Sequence, residues 1–205
     1  MSLTDIEFSN HYKTLGLAEM YYLNSVKWPE TKEGGLRRLR LGEINLASTL
    51  YGYSIHYHKV WIHLESYFPF NLQDPNRGMA PDGEMWFREG KYQHDFSMPE
   101  KGEPQIAQHL FLHEMMHVWQ HQRGMWVRMR GAFSWAADYT YSLDKANLLD
   151  YGLEQQASIV SDYWLLKHYG FLGNEGLYDY RDYDPSEPVL TLIQKYEKVL
   201  GSFPG

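Results

Sequence analysis

The sequence predicts an α+β domain that is mostly helical. Three observations carry this. Residues 104–123 and 149–169 show apolar positions at helical spacing and are followed by Gly124 and Gly170. Residues 59–63 and 84–87 are short runs rich in β-formers, set off by turn signals. The 205 residues suffice for one domain, which at this size buries roughly 70% of its unfolded surface.

Residues 1–35 are mixed and aromatic, end in Glu33-Gly34-Gly35, and predict a lead-in with a short helix. The domain proper is expected over 36–205. Leu36, Leu39, Ile44, Leu46 and Leu50 form a partial helical stripe, so a helix is expected over 36–51, ended by Gly52. Lys59-Val60-Trp61-Ile62-His63 alternates as a strand. A loop runs from Pro69 to Arg77, and Pro81-Asp82-Gly83 marks a turn into a short strand over 84–87. Pro104 can open the next helix because its missing N–H is unbonded in the first turn anyway. Ile106, Leu110, Met116, Val118 and Trp119 give that helix an apolar face. On the second long helix, Leu153, Ala157, Val160 and Trp164 repeat at i, i+4, i+7 and i+11. Residues 178–184, rich in Asp and Tyr, are expected to be a solvated connector. Residues 187–200 are an amphipathic helix.

Composition removes several function classes. There is no cysteine, which excludes disulfides, thiolate metal sites, iron–sulfur ligation and a cysteine nucleophile. The net charge is −7, so nucleic acid is not an expected partner. Arg37, Arg38 and Arg40, and Arg123, Arg128 and Arg130, read as helix faces and helix ends. The longest stretch free of Asp, Glu, Lys and Arg, residues 44–58, holds Asn45, Ser48, Thr49 and two histidines, so no membrane span is expected. The segment MSLTDIEFSN lacks a basic region followed by an apolar run. It predicts cytoplasmic synthesis without a signal peptide.

The informative bias is histidine. His109, His113, His117 and His121 stand four apart. Each step of four rotates the direction by roughly 40°, so neighbours share a helix face. Only the His113/His117 pair has a glutamate directly after its first member, Glu114, which makes the segment HEMMH. In an HExxH arrangement two imidazoles take two zinc positions and the carboxylate faces the metal's water. Zinc lowers the pKa of that water to near 7. Glu114 can then act as general base and pass the proton to a leaving amine. One zinc per chain is expected, ligated by His113 and His117. His109 and His121 are expected at the cleft edge.

A catalytic zinc needs a third protein ligand. The extension HExxHxxGxxH fails, since Gln120 and Arg123 stand where Gly and His are needed. A carboxylate from another helix remains. Glu154, beside the small residues Ala157 and Ser158, is favoured; Asp138, Asp144, Asp150 and Asp162 compete. Asp144 and Asp150 read as turn or cap residues. Asp162 can orient a ligand histidine.

Several ordered segments resemble one family. They are Arg40-Leu41-Gly42-Glu43-Ile44; Phe68-Pro69-Phe70 with Leu72-Gln73-Asp74; Met79 through Phe87; and His109-Leu110-Phe111 leading into HEMMHVWQ. Tyr139 through Asp144, Glu154-Gln155-Gln156-Ala157 and Asp162-Tyr163 complete the set. The sequence resembles the zinc metallopeptidase effectors associated with VgrG (valine–glycine-repeat) spike proteins and Rhs proteins of bacterial type VI secretion systems. The resemblance spans roughly residues 36–169.

The resemblance implies a zincin-like metallopeptidase domain, with His113, His117 and Glu154 as zinc ligands and Glu114 as base. It implies an antibacterial toxin that cleaves a protein or peptide in the periplasm of a target bacterium. An immunity protein and a secretion spike or Rhs carrier are the implied partners. Zincin clefts use an edge strand to hold substrate, and Gly83, Glu84, Met85, Trp86 and Phe87 are the candidates here. A further donor to the developing oxyanion is also wanted. Tyr139, Tyr141, Tyr163 and His168 are candidates, with Tyr141 and Tyr163 preferred. The competing functions are a non-catalytic, metal-stabilised adaptor of a secretion apparatus and a zinc amidase acting on peptidoglycan peptides. Glu114 speaks for chemistry, because a structural zinc has no use for it.

Overall fold

The computed structural model describes residues 30–125, 138–171, 177 and 179–205. The expected lead-in, up to residue 29, lies outside them, as do Arg128 and Arg130. Thr31–Gly205 make one unit around a shared hydrophobic core.

The first element corrects the expectation of a helix over 36–51. Leu36–Arg38 is a strand, β1, and helix α1 starts only at Leu41, running Leu41–Tyr51. The cause is Glu43, which is fully buried. Its carboxylate accepts two hydrogen bonds from Arg37, at 2.7 and 2.8 Å, and one each from the backbone N–H of Arg40 and Phe96. Residues six apart on one helix point about 240° apart, so a continuous helix would separate this pair. Extended backbone at Arg37 closes it. Losing one partner of such a buried pair costs roughly 3–5 kcal/mol, because the other charge is left alone. The basic cluster is therefore no helix face: Arg37 is an ion-pair partner, and Arg38 stacks over Trp61. Arg123 does sit at a helix end, where it donates to the carbonyls of Pro204 and Gly205.

Strand β2 is Trp61–Leu64, β3 is Gly78–Met79 and β4 is Met85–Phe87. They join β1 in a four-stranded mixed sheet of order β1-β2-β4-β3. The β2–β4 pairing is parallel, with Ile62 opposite Met85; the other two are antiparallel. This order corrects a second expectation. The segment from Gly83 to Phe87 is no edge strand: β4 is paired on both sides, and the strand outside it is β3, which lies between the expected loop and the expected turn, where no strand was expected. Gly83 takes φ +79°, and a Cβ there would stand 2.6 Å from the His121 ring. His121 accordingly packs against the turn before β4.

Helix α2 spans Pro104–Gln122 and α3 spans Leu153–Tyr169. The second starts four residues later than expected, because Leu148–Asp150 forms a separate 3-10 turn. Asp150 caps that turn by accepting from the Asn147 backbone N–H. The two helices pack on each other, and the small residues Ala157, Ser158 and Ser161 of α3 are fully buried. On α2, Phe111, Leu112, Met115, Met116 and Val118 are likewise inaccessible. Helix α4, Val189–Leu200, closes against α3 with Leu192, Tyr196 and Val199 on one face.

Residues 179–184 begin less exposed than a connector should be. Tyr180 is buried, and the segment pairs with residue 141: Tyr141 donates its N–H to the Asp179 carbonyl, and Arg181 donates to the Tyr141 carbonyl. Tyrosine rings, not solvent, surround this pairing, since Tyr141, Tyr180 and Tyr196 meet edge and face.

Candidate metal centre

Helix α2 presents His113 and His117 one turn apart, with ring centroids 5.1 Å from each other. Helix α3 brings Glu154, in its first turn, to face both. The Glu154 Oε2 lies 3.1 Å from His117 Nε2 and 3.4 Å from His113 Nε2. Among the described residues, these three side chains form a group able to hold a metal ion, with one donor atom from each within 4.8 Å of the others. Two ligand atoms at about 2.0–2.1 Å from a tetrahedral zinc stand roughly 3.3–3.4 Å apart. The Glu154–histidine separations of 3.1 and 3.4 Å lie close to that edge, and two imidazoles with a carboxylate are a donor set that suits zinc.

Of the competing carboxylates, none joins this group. Asp138 is exposed, accepts from Thr140 and pairs with Arg181 at 2.8 Å. Asp150 caps a turn, and Asp162 is occupied elsewhere.

Glu114 is buried beside the group, and its Oε2 has no hydrogen-bond partner among the described residues. Burial raises its pKa above the ordinary carboxylate range; the nearby His117 and His113 oppose the rise, and Glu154 adds to it. A buried carboxyl with an unused oxygen is costly unless something polar meets it.

Gln120 is the residue whose role the sequence concealed. In the sequence it registers as the failure of an extended metal motif. In the structure His117 Nδ1 donates to Gln120 Oε1 at 2.8 Å, which leaves Nε2 free to face Glu154. Gln120 is locked in turn: its amide donates to the Leu153 carbonyl and to Gln156 Oε1, both at 3.0 Å. Such support of a ligand imidazole is worth about 10–100-fold in metal affinity. Gln120→Leu should therefore weaken zinc binding by about 10–100-fold, measured by competition with a chromophoric chelator. Wild-type affinity in this variant would show that the contact does not orient His117.

His109 lines the cleft with its Nε2 against Asp162 Oδ1 at 2.7 Å. Asp162 thus orients His109, not a member of the His113/His117 pair. Its other oxygen accepts from Tyr141, whose hydroxyl also meets that of Tyr196 at 2.5 Å. Tyr141 is buried in this chain of bonds and does not line the cleft. Tyr163 bonds Glu197 and Lys167 on the far side of α3. His168 donates to the Trp164 carbonyl. None of these three faces the metal group, so the preference for Tyr141 and Tyr163 as oxyanion donors is not met. Tyr139 is the tyrosine that lies there. Its ring stacks beside His113 at 6.1 Å, and the Arg77 guanidinium lies over the same ring, 5.2 Å from its centroid, and donates to its hydroxyl at 3.2 Å. Burial, then the charge of Glu154, push the Tyr139 phenol up to about 12, so it keeps its proton.

These groups open into a cleft of about 700 Å³. It is lined by Gly78 and Met79 of β3, by His109, His113, Glu114 and His117 of α2, and by Asp138, Tyr139 and Thr140.

The electrostatics of the three side chains would tie metal uptake to protons. Burial alone would lower the pKa of His117, but Glu154 outweighs it and lifts the imidazole to about 9. Burial alone would raise Glu154, but His117 and His113 hold it well below the usual range. A raised histidine stabilises the metal-free fold fully below its ordinary 6.5, and that contribution fades as pH climbs through about 9. A depressed carboxylate stabilises it above its ordinary 4.5 and loses that contribution as pH falls. The metal-free protein should therefore melt highest between these limits. Zinc needs the neutral imidazole, so zinc uptake at neutral pH should release a proton from His117. Calorimetry in buffers of differing ionisation enthalpy reads this directly; no proton release at pH 7 would contradict the pairing.

The fold and the cleft define a class: an α+β domain with a candidate zinc-type His–His–Glu centre beside a buried carboxyl. No protein-family model matches the chain. Over 148 residues it is 40% identical to the type VI secretion system spike protein VgrG2b of Pseudomonas aeruginosa, a stretch covering 68% of this chain and 14% of that protein. The solved structure of the effector domain of Pseudomonas aeruginosa VgrG2b matches with a TM-score of 0.57 and 37% identity, over 75% of this chain and 86% of that domain. The chain belongs to the family of the VgrG2b effector domain.

Proposed function

We propose that the chain is a zinc-dependent metallopeptidase that serves as an antibacterial effector of a type VI secretion system, acting in the periplasm of a target cell. Family membership supports the effector role. The supporting observation for the chemistry is the pairing of a zinc-spaced His113–His117–Glu154 group with a buried Glu114 whose Oε2 is unused.

Zinc, when held by these three residues, supplies Lewis acidity and lowers the pKa of water. The rest falls to the chain. The Glu114 carboxylate takes a proton from the attacking water and delivers it to the departing nitrogen of the peptide. Burial raises its pKa, a shift in the direction that favours the return step. Strand β3 lies at an edge of the sheet among the described residues and lines the cleft, where an extended peptide can add as a further strand. Tyr139 and Arg77 also line the cleft and offer donors for the charge that builds on the carbonyl oxygen.

The test is to produce the protein with an added export signal in a susceptible bacterium and compare periplasmic proteomes for wild type and Glu114→Ala. Purified wild type should carry one zinc per chain, lost in the His113→Ala/His117→Ala variant. New protein fragments present only with wild type are the expected result. Altered wall peptides without protein fragments would point to an amidase. No difference between the two proteomes would point to a non-catalytic adaptor.

A further inference from the structure

We infer that Gly78 is a positioning residue whose missing side chain seats the Glu114 carboxylate toward the His113–His117–Glu154 group. The inference rests on the reading of Glu114 as the base and adds the residue that aims it. A Cβ built on Gly78 would stand 2.7 Å from both Cγ and Oε1 of Glu114, and 2.6 Å from Cε1 of Phe87. Atoms in contact rest roughly 3.5–4.0 Å apart for carbon, so the space beside residue 78 is already full. The backbone gives glycine no other reason to be there: Gly78 is absent from the positive-φ glycines and sits in a regular antiparallel pair with Phe87.

Glu114 needs such a seat. Its Oε2 has no hydrogen-bond partner among the described residues, so the carboxylate is confined by what it touches. Strand β3 packs on α2, and Gly78 is where backbone meets the base. A methyl group at residue 78 would push the carboxylate aside while leaving His113, His117 and Glu154, on α2 and α3, in place.

Because the same methyl meets Phe87, which is fully buried, Gly78→Ala alone can fail through the core. The decisive comparison uses the Phe87→Leu background, which removes the conflicting ring atom. Gly78→Ala/Phe87→Leu should keep the zinc content of Phe87→Leu. It should turn the Glu114 carboxylate away in a crystal structure, and lower kcat by roughly 100-fold with KM little changed. A second measurement does not need turnover. The melting temperature lost on Gly78→Ala should be partly recovered when Glu114→Ala is added, since the methyl then has room. An unmoved carboxylate, a kcat equal to that of Phe87→Leu, or strictly additive melting shifts would overturn the inference. If wild type shows no peptide hydrolysis, the peptidase reading falls, while the crystal position of Glu114 and the melting cycle still decide the seating.

Discussion

Glu114→Gln should abolish hydrolysis and leave both the fold and the zinc content intact. The side chain is nearly inaccessible, so an isosteric amide fits the same space. It removes a group able to accept a proton, and loss of a positioned base costs about 10²–10⁴-fold in rate. The three candidate ligands are other residues, so zinc affinity is expected to stay within a few-fold of wild type. Replacing a buried carboxyl whose oxygen has no partner also removes a desolvation cost, so the variant should melt no lower than wild type. Kinetics, zinc content and melting on one preparation settle the matter. Full activity would assign proton transfer to another group, with His109 next in position because it lines the cleft against Asp162.

Glu154→Ala has the second large effect and the opposite signature. Here zinc binding should weaken by at least roughly tenfold, and activity should go with it. The metal-free protein should lose stability as well. In that state the carboxylate faces His117 at 3.1 Å and His113 at 3.4 Å. His117, deprived of its partner, should titrate well below its present value of about 9. Asp150→Ala provides the contrast: it removes a turn cap that is not part of the donor group and should leave zinc affinity nearly unchanged. A zinc-loaded structure with the Glu154 carboxylate more than about 4 Å from the ion, against roughly 2.0–2.2 Å for a zinc–carboxylate bond, would refute the assignment.

Together the two variants separate base from ligand. A site that only stores metal would respond to Glu154→Ala and not to Glu114→Gln. A catalytic site responds to both, and only Glu114→Gln keeps its zinc.

The histidine pair and its glutamate were legible in the sequence because their geometry is local. Residues four apart on a helix share a face whatever surrounds them, and the glutamate distinguishes one pair from the others in the stripe. Glu154 was legible for a related reason. The spacing of Leu153, Ala157, Val160 and Trp164 gave the helix a buried side, and small neighbours allowed it to approach. The two long helices followed from the same periodicity, with the start of α3 displaced by the 3-10 turn at Leu148–Asp150.

What tertiary structure alone decided has no period to read. Strand β3 is two residues long, and its place at the sheet edge exists only in the ladder order β1-β2-β4-β3. Leu36–Arg38 carries part of a helical stripe, yet a buried ion pair to Glu43 draws it straight. Tyr139 and Tyr141 are the same residue type two positions apart; the pairing of residue 141 with 180 takes one into the interior, while Arg77 holds the other at the cleft. The sequence by itself determined which residues are candidates to bind a metal and move a proton, because that choice depends on residue type and helical spacing. Tertiary structure decided which tyrosine, which strand edge and which glycine stand beside them, because each of those depends on contacts between residues far apart in the chain.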